Sequence, residues 1–492
     1  MKLALPQRES ERLWFFALAA LAVSAFAINQ QSLWIDEGNT AAKALQPSFQ
    51  AWWTSFLHER GSDLQMPGYM FFVWAWEKLA GASEVALRAS NIPFFVGGVV
   101  ALAWGQAKNR RAQAALVLLA LTNAFLWYYL SEARPYLVLF GFAAVTAACL
   151  FRLRQDPEES LQSGVWFRLF CAGTIGLCAT SLIAVPWALG AIGAVFYWGG
   201  WRAVGRCALR CKAAAALSMT ALSGLGLYYL WTLQLGARAS DVGRTGWSNI
   251  AYIFYELLGL AGLGPGRLAL RTEGAGEVLA FLPMMIAGTL AVLILLLTGF
   301  IALKGRINQR SVLFFAIAVA LPFVLVLAAG ASSHMRLVGR HLTPLLPFLL
   351  AWMAIGLGRL LSARALRRKS LAVGLLAVLL LSALEIRLAP RHRRDDYRSA
   401  AAIARAALDS GQRVCWLADV STGLYYHVPF GSPRLATSLN LPGPNPPPDV
   451  VILSKPDIYD ASGAVRSYLA AEDFKVTHSL PAFQIWTRPP VR

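Results

Sequence analysis

Residues 278–303 read VLAFLPMMIAGTLAVLILLLTGFIAL, a run with no charged position. About 20 apolar residues carry a helix across the hydrocarbon core of a bilayer, so this stretch predicts a membrane span. Working outward gives ten more: Leu13–Ile28, Ile92–Ala107, Ala112–Leu130, Pro135–Phe151, Val165–Thr180, Leu182–Gly199, Ala213–Leu233, Val312–Gly330, Leu342–Leu361 and Leu371–Leu388. The expected fold class is therefore an all-α polytopic membrane protein of about eleven transmembrane helices. Composition agrees. Of 492 residues, 57% are hydrophobic and 14% charged, with a mean hydropathy of +0.51. Soluble domains carry roughly a quarter charged residues, which excludes a soluble enzyme over most of the length. Disorder and a disulfide scaffold are excluded as well.

The 45 Lys+Arg against 26 Asp+Glu leave a net charge of +19. No basic stripe lies on a soluble face, so no nucleic-acid partner is expected. The cations instead set the topology. Segment Pro67–Ala80 is apolar and aromatic, but it is short and ends near Glu77 and Lys78. It reads as an interfacial or re-entrant helix. If it does not cross, five basic connections fall on one side together with the N-terminus. These are Lys108/Arg110/Arg111, Arg152/Arg154, Arg202/Arg206/Arg210/Lys212, Lys304/Arg306/Arg310 and Arg364/Arg367/Arg368/Lys369. The positive-inside rule makes that side cytoplasmic. A cell inner (plasma) membrane is expected, with loop 29–88, the loop from about 234 to 277, and the tail 390–492 outside. Arg391, Arg393 and Arg394 run against this, and a cytoplasmic tail is the alternative. Leu13–Ile28, preceded by Lys2, Arg8 and Arg12, has the form of a signal peptide without a small-residue cleavage site, so it reads as an uncleaved first helix. The six cysteines show no disulfide framework and no zinc spacing.

Two units follow: a transmembrane domain, 1–389, and a small soluble α/β domain, 390–492, on the external side. In the tail, Asp395–Leu408 and Ala461–Ala471 read as helices. Val414–Ala418, Asp449–Leu453 and Phe483–Thr487 read as strands, and Pro429–Pro448 as a Pro-rich connector. No phosphate loop or metal-ligand spacing appears in the tail, so no chemistry is assigned to it.

Three clusters carry candidate chemistry. The first loop opens with Ser32-Leu-Trp34-Ile-Asp36-Glu37-Gly-Asn-Thr40, followed by Asp63 and Gln65-Met-Pro67-Gly-Tyr69. Adjacent carboxylates there suit either a helix N-terminus or catalysis. Ser131-Glu132-Ala-Arg134-Pro-Tyr136 occupies a very short connection near membrane depth, where ionisable groups are costly and mark function. The alternative is a local Glu132–Arg134 pair. Ser333-His334-Met-Arg336-Leu-Val-Gly-Arg340-His341 places two arginines four apart, on one face if helical, which suits a phosphate or two snorkelling side chains. Arg88 reads as an ordinary flank, and Tyr255, Glu256 and Arg267 as a weak signal.

The chain resembles the GT-C membrane glycosyltransferases, the groups related to protein O-mannosyltransferases, lipid A aminoarabinose transferases, glycosyltransferase family 39 and RgtA-like proteins. Trp34-Ile-Asp36-Glu37 looks like the family's Asp-Glu motif. Leu64-Gln65-Met66-Pro67-Gly68-Tyr69 falls where relatives have His-Pro-Pro-Leu-Tyr. Gly81-Ala-Ser-Glu84-Val-Ala-Leu-Arg88 is similar to the Gly-x-Ser-Glu-x-x-x-Arg step. Ser131-Glu132-Ala-Arg134-Pro-Tyr136 is similar to Gln-Glu-Ala-Arg-x-Tyr, and Arg340-His341-Leu-x-Pro344 to Arg-Tyr-x-x-Pro. The likeness runs in order over about residues 10–390. Gln65 and Met66 depart from His-Pro, and no His stands near Ala179-Thr-Ser181.

The resemblance implies an inverting transfer of a sugar from a polyprenyl-phosphate donor to an acceptor hydroxyl on the external face. Asp36 would be the general base, and Glu37 would orient Asp36 or bind a metal. Asp63, Gln65, Tyr69, Glu132, Arg134, Tyr136, Arg336, Arg340 and His341 would bind substrate. Asp36 and Glu132 are the carboxylates that would hold Mg²⁺ or Mn²⁺. The implied partners are the lipid-linked donor, membrane lipid and an acceptor the sequence does not name. A transporter or flippase of a lipid-linked or anionic solute, or an inactive scaffold of the same fold, is the alternative reading.

Overall fold

A computed structural model describes residues 7–58, 61–235, 245–272, 274–305, 307–333, 335–439 and 447–489. Lys2, Arg306, His334, part of loop 234–277 and part of the 429–448 connector lie outside the described residues. Among those described, nine helices are long and apolar enough to cross a membrane: Gln7–Ala27, Glu84–Gly105, Tyr136–Gln155, Leu182–Gly199, Lys212–Gln234, Val278–Leu303, Gln309–Ser332, Gly339–Leu361 and Leu366–Leu388. Each coincides with a predicted span. The two remaining predictions take a different form. Ala112–Leu130 is not one rod but two helices, Arg110–Leu121 and Ala124–Leu130, bent by 53°. Asn123 breaks it: its side-chain oxygen caps the second helix at Leu126 N, and its amide donates to the Leu257 carbonyl at 3.1 Å. Gly164–Thr180 is apolar and 17 residues long.

The centre of the bundle is the Tyr136–Gln155 helix, buried along most of its length. It packs against Glu84–Gly105 and Gly164–Thr180. A side chain on Gly141 would put its Cβ 2.9 Å from the Phe94 carbonyl oxygen, so glycine sets how closely these helices approach.

The first loop is helical too: Ile35–Ala44, Phe49–His58 and Pro67–Ala80. Pro67–Ala80 has 14 residues. At about 1.5 Å per residue it is roughly 21 Å long, short of a ~30 Å core. It buries Tyr69, Met70 and Val73 and packs against Ile35–Ala44.

The tail opens with helix Tyr397–Asp409. Five strands follow: β1 (Val414–Leu417), β2 (Leu435–Ala436), β3 (Val450–Ser454), β4 (Lys475–Leu480) and β5 (Phe483–Thr487). The sheet order is β2-β1-β3-β5-β4, parallel through β2-β1-β3 and antiparallel from β3 onward. Strands β1, β3 and β5 stand where the sequence put strands. Strand β4 went unread because it is an exposed edge, with residues 475–479 facing out, and lacks the apolar signature of a buried strand. The tail shares one apolar core with the first loop: Tyr397, Trp416, Ile452 and Ile485 pack in the same cluster as Leu33, Ala41, Trp52 and Tyr69. The 29–58 loop, the 131–135 connection, the Gly339 turn and the tail all meet at one end of the bundle.

Candidate active site

Asp36 and Glu37 sit in the first turn of Ile35–Ala44, and successive residues of a helix point about 100° apart. Glu37 points inward and is wholly buried. Arg88 grips it with both arms of its guanidinium, Nε to Oε1 at 2.9 Å and Nη2 to Oε2 at 2.8 Å. Arg394 Nη1 adds a bond to Oε2 at 2.9 Å, and the Ala133 amide one to Oε1 at 2.8 Å. Burial pushes its pKa up, but the two arginines and these bonds outweigh that and hold it below the ordinary value. Glu37 is thus fully occupied as an anchor. It is an anchor beside Asp36 rather than a group open to substrate.

Asp36 points the other way. Its side chain is 29% exposed, and Oδ2 meets Arg340 Nη1 at 3.4 Å. Its main-chain carbonyl accepts from Arg134 Nη1 at 3.2 Å. Arg134 also bonds Thr40 Oγ1 at 3.0 Å and Asp63 Oδ1 at 3.3 Å. Asp63 pairs in addition with buried Lys43 at 3.0 Å. Burial raises the Asp63 pKa, yet Arg134 and Lys43 hold it low. Asp63 therefore steadies Arg134 from behind.

The expected alternative of a Glu132–Arg134 pair fails. Glu132 turns instead to Arg394 Nη2, 3.5 Å away, and neither of its oxygens has a hydrogen-bond partner. Burial drives its pKa up, with Arg394 opposing. The arginine pair is also corrected. Val338 is extended, and the helical turn begins only at Gly339, so Arg336 and Arg340 do not share a helical face. Arg336 is exposed, while Arg340 lies over the rings of Tyr136 (5.5 Å) and Trp34 (5.8 Å). His341 Nδ1 accepts from the Val338 amide at 3.2 Å, so it braces this turn. Gln65 ends a short 3₁₀ turn, Ser62–Gln65, and its carbonyl accepts from the Tyr229 hydroxyl at 3.5 Å. Tyr69 is buried, with its hydroxyl unpartnered.

A pattern emerges around Asp36. Trp34 Nε1, Tyr69 Oη, Arg134 Nε and Arg340 Nε are all buried donors without an acceptor. Buried donors normally find one, so this cluster is shaped for an oxygen-rich ligand.

Several functional residues escaped the sequence. Arg88 was read as a flank and is the principal partner of Glu37. Arg394 was read as a topological anomaly. That anomaly was itself the signal, because a cation on the unfavoured side needs an anionic partner, here Glu37 and Glu132. Glu256 pairs with Arg267 and accepts from the Gly339 amide at 2.7 Å, pinning the turn that carries Arg340. Arg267 lies 4.0 Å over Tyr128.

Among the described residues no three His, Cys, Asp or Glu side chains converge. The two carboxylates expected to hold Mg²⁺ or Mn²⁺ turn to cations, Asp36 to Arg340 and Glu132 to Arg394. An ion held there would draw its other ligands from water and a substrate phosphate.

A bundle of apolar helices, a helical first loop and a C-terminal mixed sheet on the same end make this a polytopic membrane protein that shares the fold of ArnT. ArnT from Cupriavidus metallidurans in the apo state is similar in structure, with a TM-score of 0.55 at 14% identity over 97% of this chain and 98% of that chain. The same ArnT bound to undecaprenyl phosphate gives 0.54 at 14% identity, with the same coverage. The arabinofuranosyltransferase AftD from Mycobacteria gives 0.42 at 14% identity, over 98% of this chain and 40% of that one. No family model and no curated protein matches the sequence.

Proposed function

We propose that this protein is an inverting glycosyltransferase that moves a sugar from a polyprenyl-phosphate donor to an acceptor hydroxyl. We place it in the inner membrane with the site on the periplasmic side. The observation that carries the reading is a part-exposed carboxylate, Asp36, set among four buried donors that lack acceptors. The GT-C fold and the undecaprenyl phosphate bound to the similar ArnT support the donor class. The acidic and basic groups gather at one end of the bundle, which favours interfacial chemistry over a midplane transport site.

Asp36 takes the proton of the acceptor hydroxyl. The freed oxygen attacks the anomeric carbon from the face opposite the phosphate, and the bond from that carbon to the phosphate oxygen breaks. The electron pair leaves with the phosphate, so no general acid is needed. Arg340 and Arg134 stabilise that developing charge by fixed, directed N–H groups. Both guanidiniums stand beside Asp36, where that positive charge is needed.

The test uses purified protein in lipid with a panel of radiolabelled polyprenyl-phosphate sugars, reading release of polyprenyl phosphate. Release that Asp36→Asn abolishes and EDTA leaves intact supports the reading. Absence of both release and donor binding across the panel overturns it.

A further inference from the structure

The tail carries no motif of its own, yet it touches the acidic stretch on every side of Asp36. The Tyr426 hydroxyl accepts from the Leu33 amide at 2.8 Å. Lys455 Nζ lies 5.5 Å from the centre of the Trp34 ring. Thr422 Oγ1 stands 2.0 Å from where a Cβ on Gly38 would fall, so only glycine admits the tail there. Arg394 completes the set by reaching Glu37 and Glu132 together.

Four buried charges form a chain: Arg88, Glu37, Arg394 and Glu132. The side chains of Arg88, Glu37 and Glu132 are 0% exposed and that of Arg394 is 6% exposed. Two cations balance two carboxylates. Three members belong to the first 132 residues, and the fourth comes from the tail. Arg394 is itself fixed: Nη2 donates to the Tyr128 carbonyl at 3.1 Å, its amide donates to Gln31 Oε1 at 3.2 Å, and its guanidinium lies 4.7 Å over the Tyr128 ring. Without it, Glu37 would keep only Arg88 and Glu132 would lose its salt-bridge partner, and removing one member of a buried ion pair is strongly destabilising.

We infer that Arg394 is a positioning residue of the transfer site: by fixing Glu37 and balancing Glu132, the docked tail sets the direction of the neighbouring Asp36. The C-terminal unit is thereby part of the active site. This inference rests on the transferase reading for its kinetic half only.

The experiment compares full-length wild type with Arg394→Met, Arg394→Lys and Arg394→Met/Glu132→Gln in lipid. Two quantities are read: steady-state kinetics with the active donor, and protease resistance of the tail. Arg394→Met should lower kcat about a hundredfold with donor KM held within about threefold, as for a misaligned reacting group. Arg394→Lys should recover about tenfold of that loss, because the charge returns without the planar fork. In the double variant the charges balance again, so tail protection should return while kcat stays low, since Glu37 still lacks its second anchor. The inference is overturned if Arg394→Met keeps wild-type kcat, or if it changes KM alone. It is also overturned if Arg394→Lys fares no better than Arg394→Met with the tail equally protected. If the wild type neither binds any donor nor releases polyprenyl phosphate from one, the transferase reading falls. Tail protection then decides the charge chain alone, and a fully protected Arg394→Met tail overturns it.

Discussion

Asp36 and Glu37 are neighbours in sequence and opposites in structure. Glu37 stands in a closed region: two guanidiniums and one amide use its oxygens, and no water reaches it. Asp36 stands in an open one, with a single long contact to Arg340 and donors around it that wait for an acceptor. The same pair of residue types therefore separates into an anchor and a working group, and the step of about 100° between consecutive helix positions makes the separation. The closed side predicts losses of stability, and the open side predicts losses of rate with the fold intact.

The largest effect belongs to the open side. Asp36→Asn should cut kcat by about 10²–10⁴-fold, the usual worth of a general base, while leaving thermal stability and tail protection at wild-type levels. A parallel fall in stability would show that Asp36 is an anchor as well, and the contrast would collapse. Glu37→Gln should do the reverse. Removing one member of a buried ion pair costs about 3–5 kcal/mol, because Arg88 and Arg394 are then left without their shared carboxylate. Thermal unfolding and yield of folded protein should register this before any kinetic assay does. Arg340→Lys should fall between them, with about a tenfold loss in kcat. It forfeits about one charge-assisted hydrogen bond worth ~1.5 kcal/mol, and its melting should stay near that of the wild type, since Arg340 is part-exposed.

How much of this could be read beforehand follows the same division. The membrane helices were legible because lipid imposes length and apolarity on a contiguous stretch. Asn123 shows the limit: nothing in Ala112–Leu130 announces that one polar residue will cap a second helix and bend the span by 53°. In the site, Arg134 was legible as a charge near membrane depth, Asp36 as one of two adjacent carboxylates, and Arg340 as one of two arginines four apart. Their partners were not. Arg88 and Glu37 are 51 residues apart, and Arg394 and Glu37 are 357 apart, and no local pattern encodes a pairing over that distance. Arg336 and Arg340 misled for the opposite reason, because spacing by four implies a shared face only where the backbone is helical, and Val338 is extended.

The smallest effect tests where the closed region ends. Glu84 joins the loop to the tail through Arg398 at 2.7 Å and the Tyr426 hydroxyl at 2.9 Å. Arg398 is half exposed, so solvent screens the pair. Glu84→Gln should cost only about 0.2–1 kcal/mol, and less in high salt. The arginine and lysine partners of Glu37 and Asp63 hold those carboxyls below their ordinary values, against burial, which pushes them up. A carboxylate depressed in the folded state stabilises above its unfolded pKa, and that contribution fades as pH falls through the folded value. Tail protection, read by hydrogen exchange in helix Tyr397–Asp409, should therefore weaken below about pH 4.5. Glu84→Gln removes only the exposed contact and leaves Glu37 and Asp63 in place, so it should flatten at most part of the acid slope. If it flattens the whole slope, the tail is held at its exposed edge, and the buried charges around Arg394 contribute little to docking. If it changes nothing, docking belongs to the closed region alone.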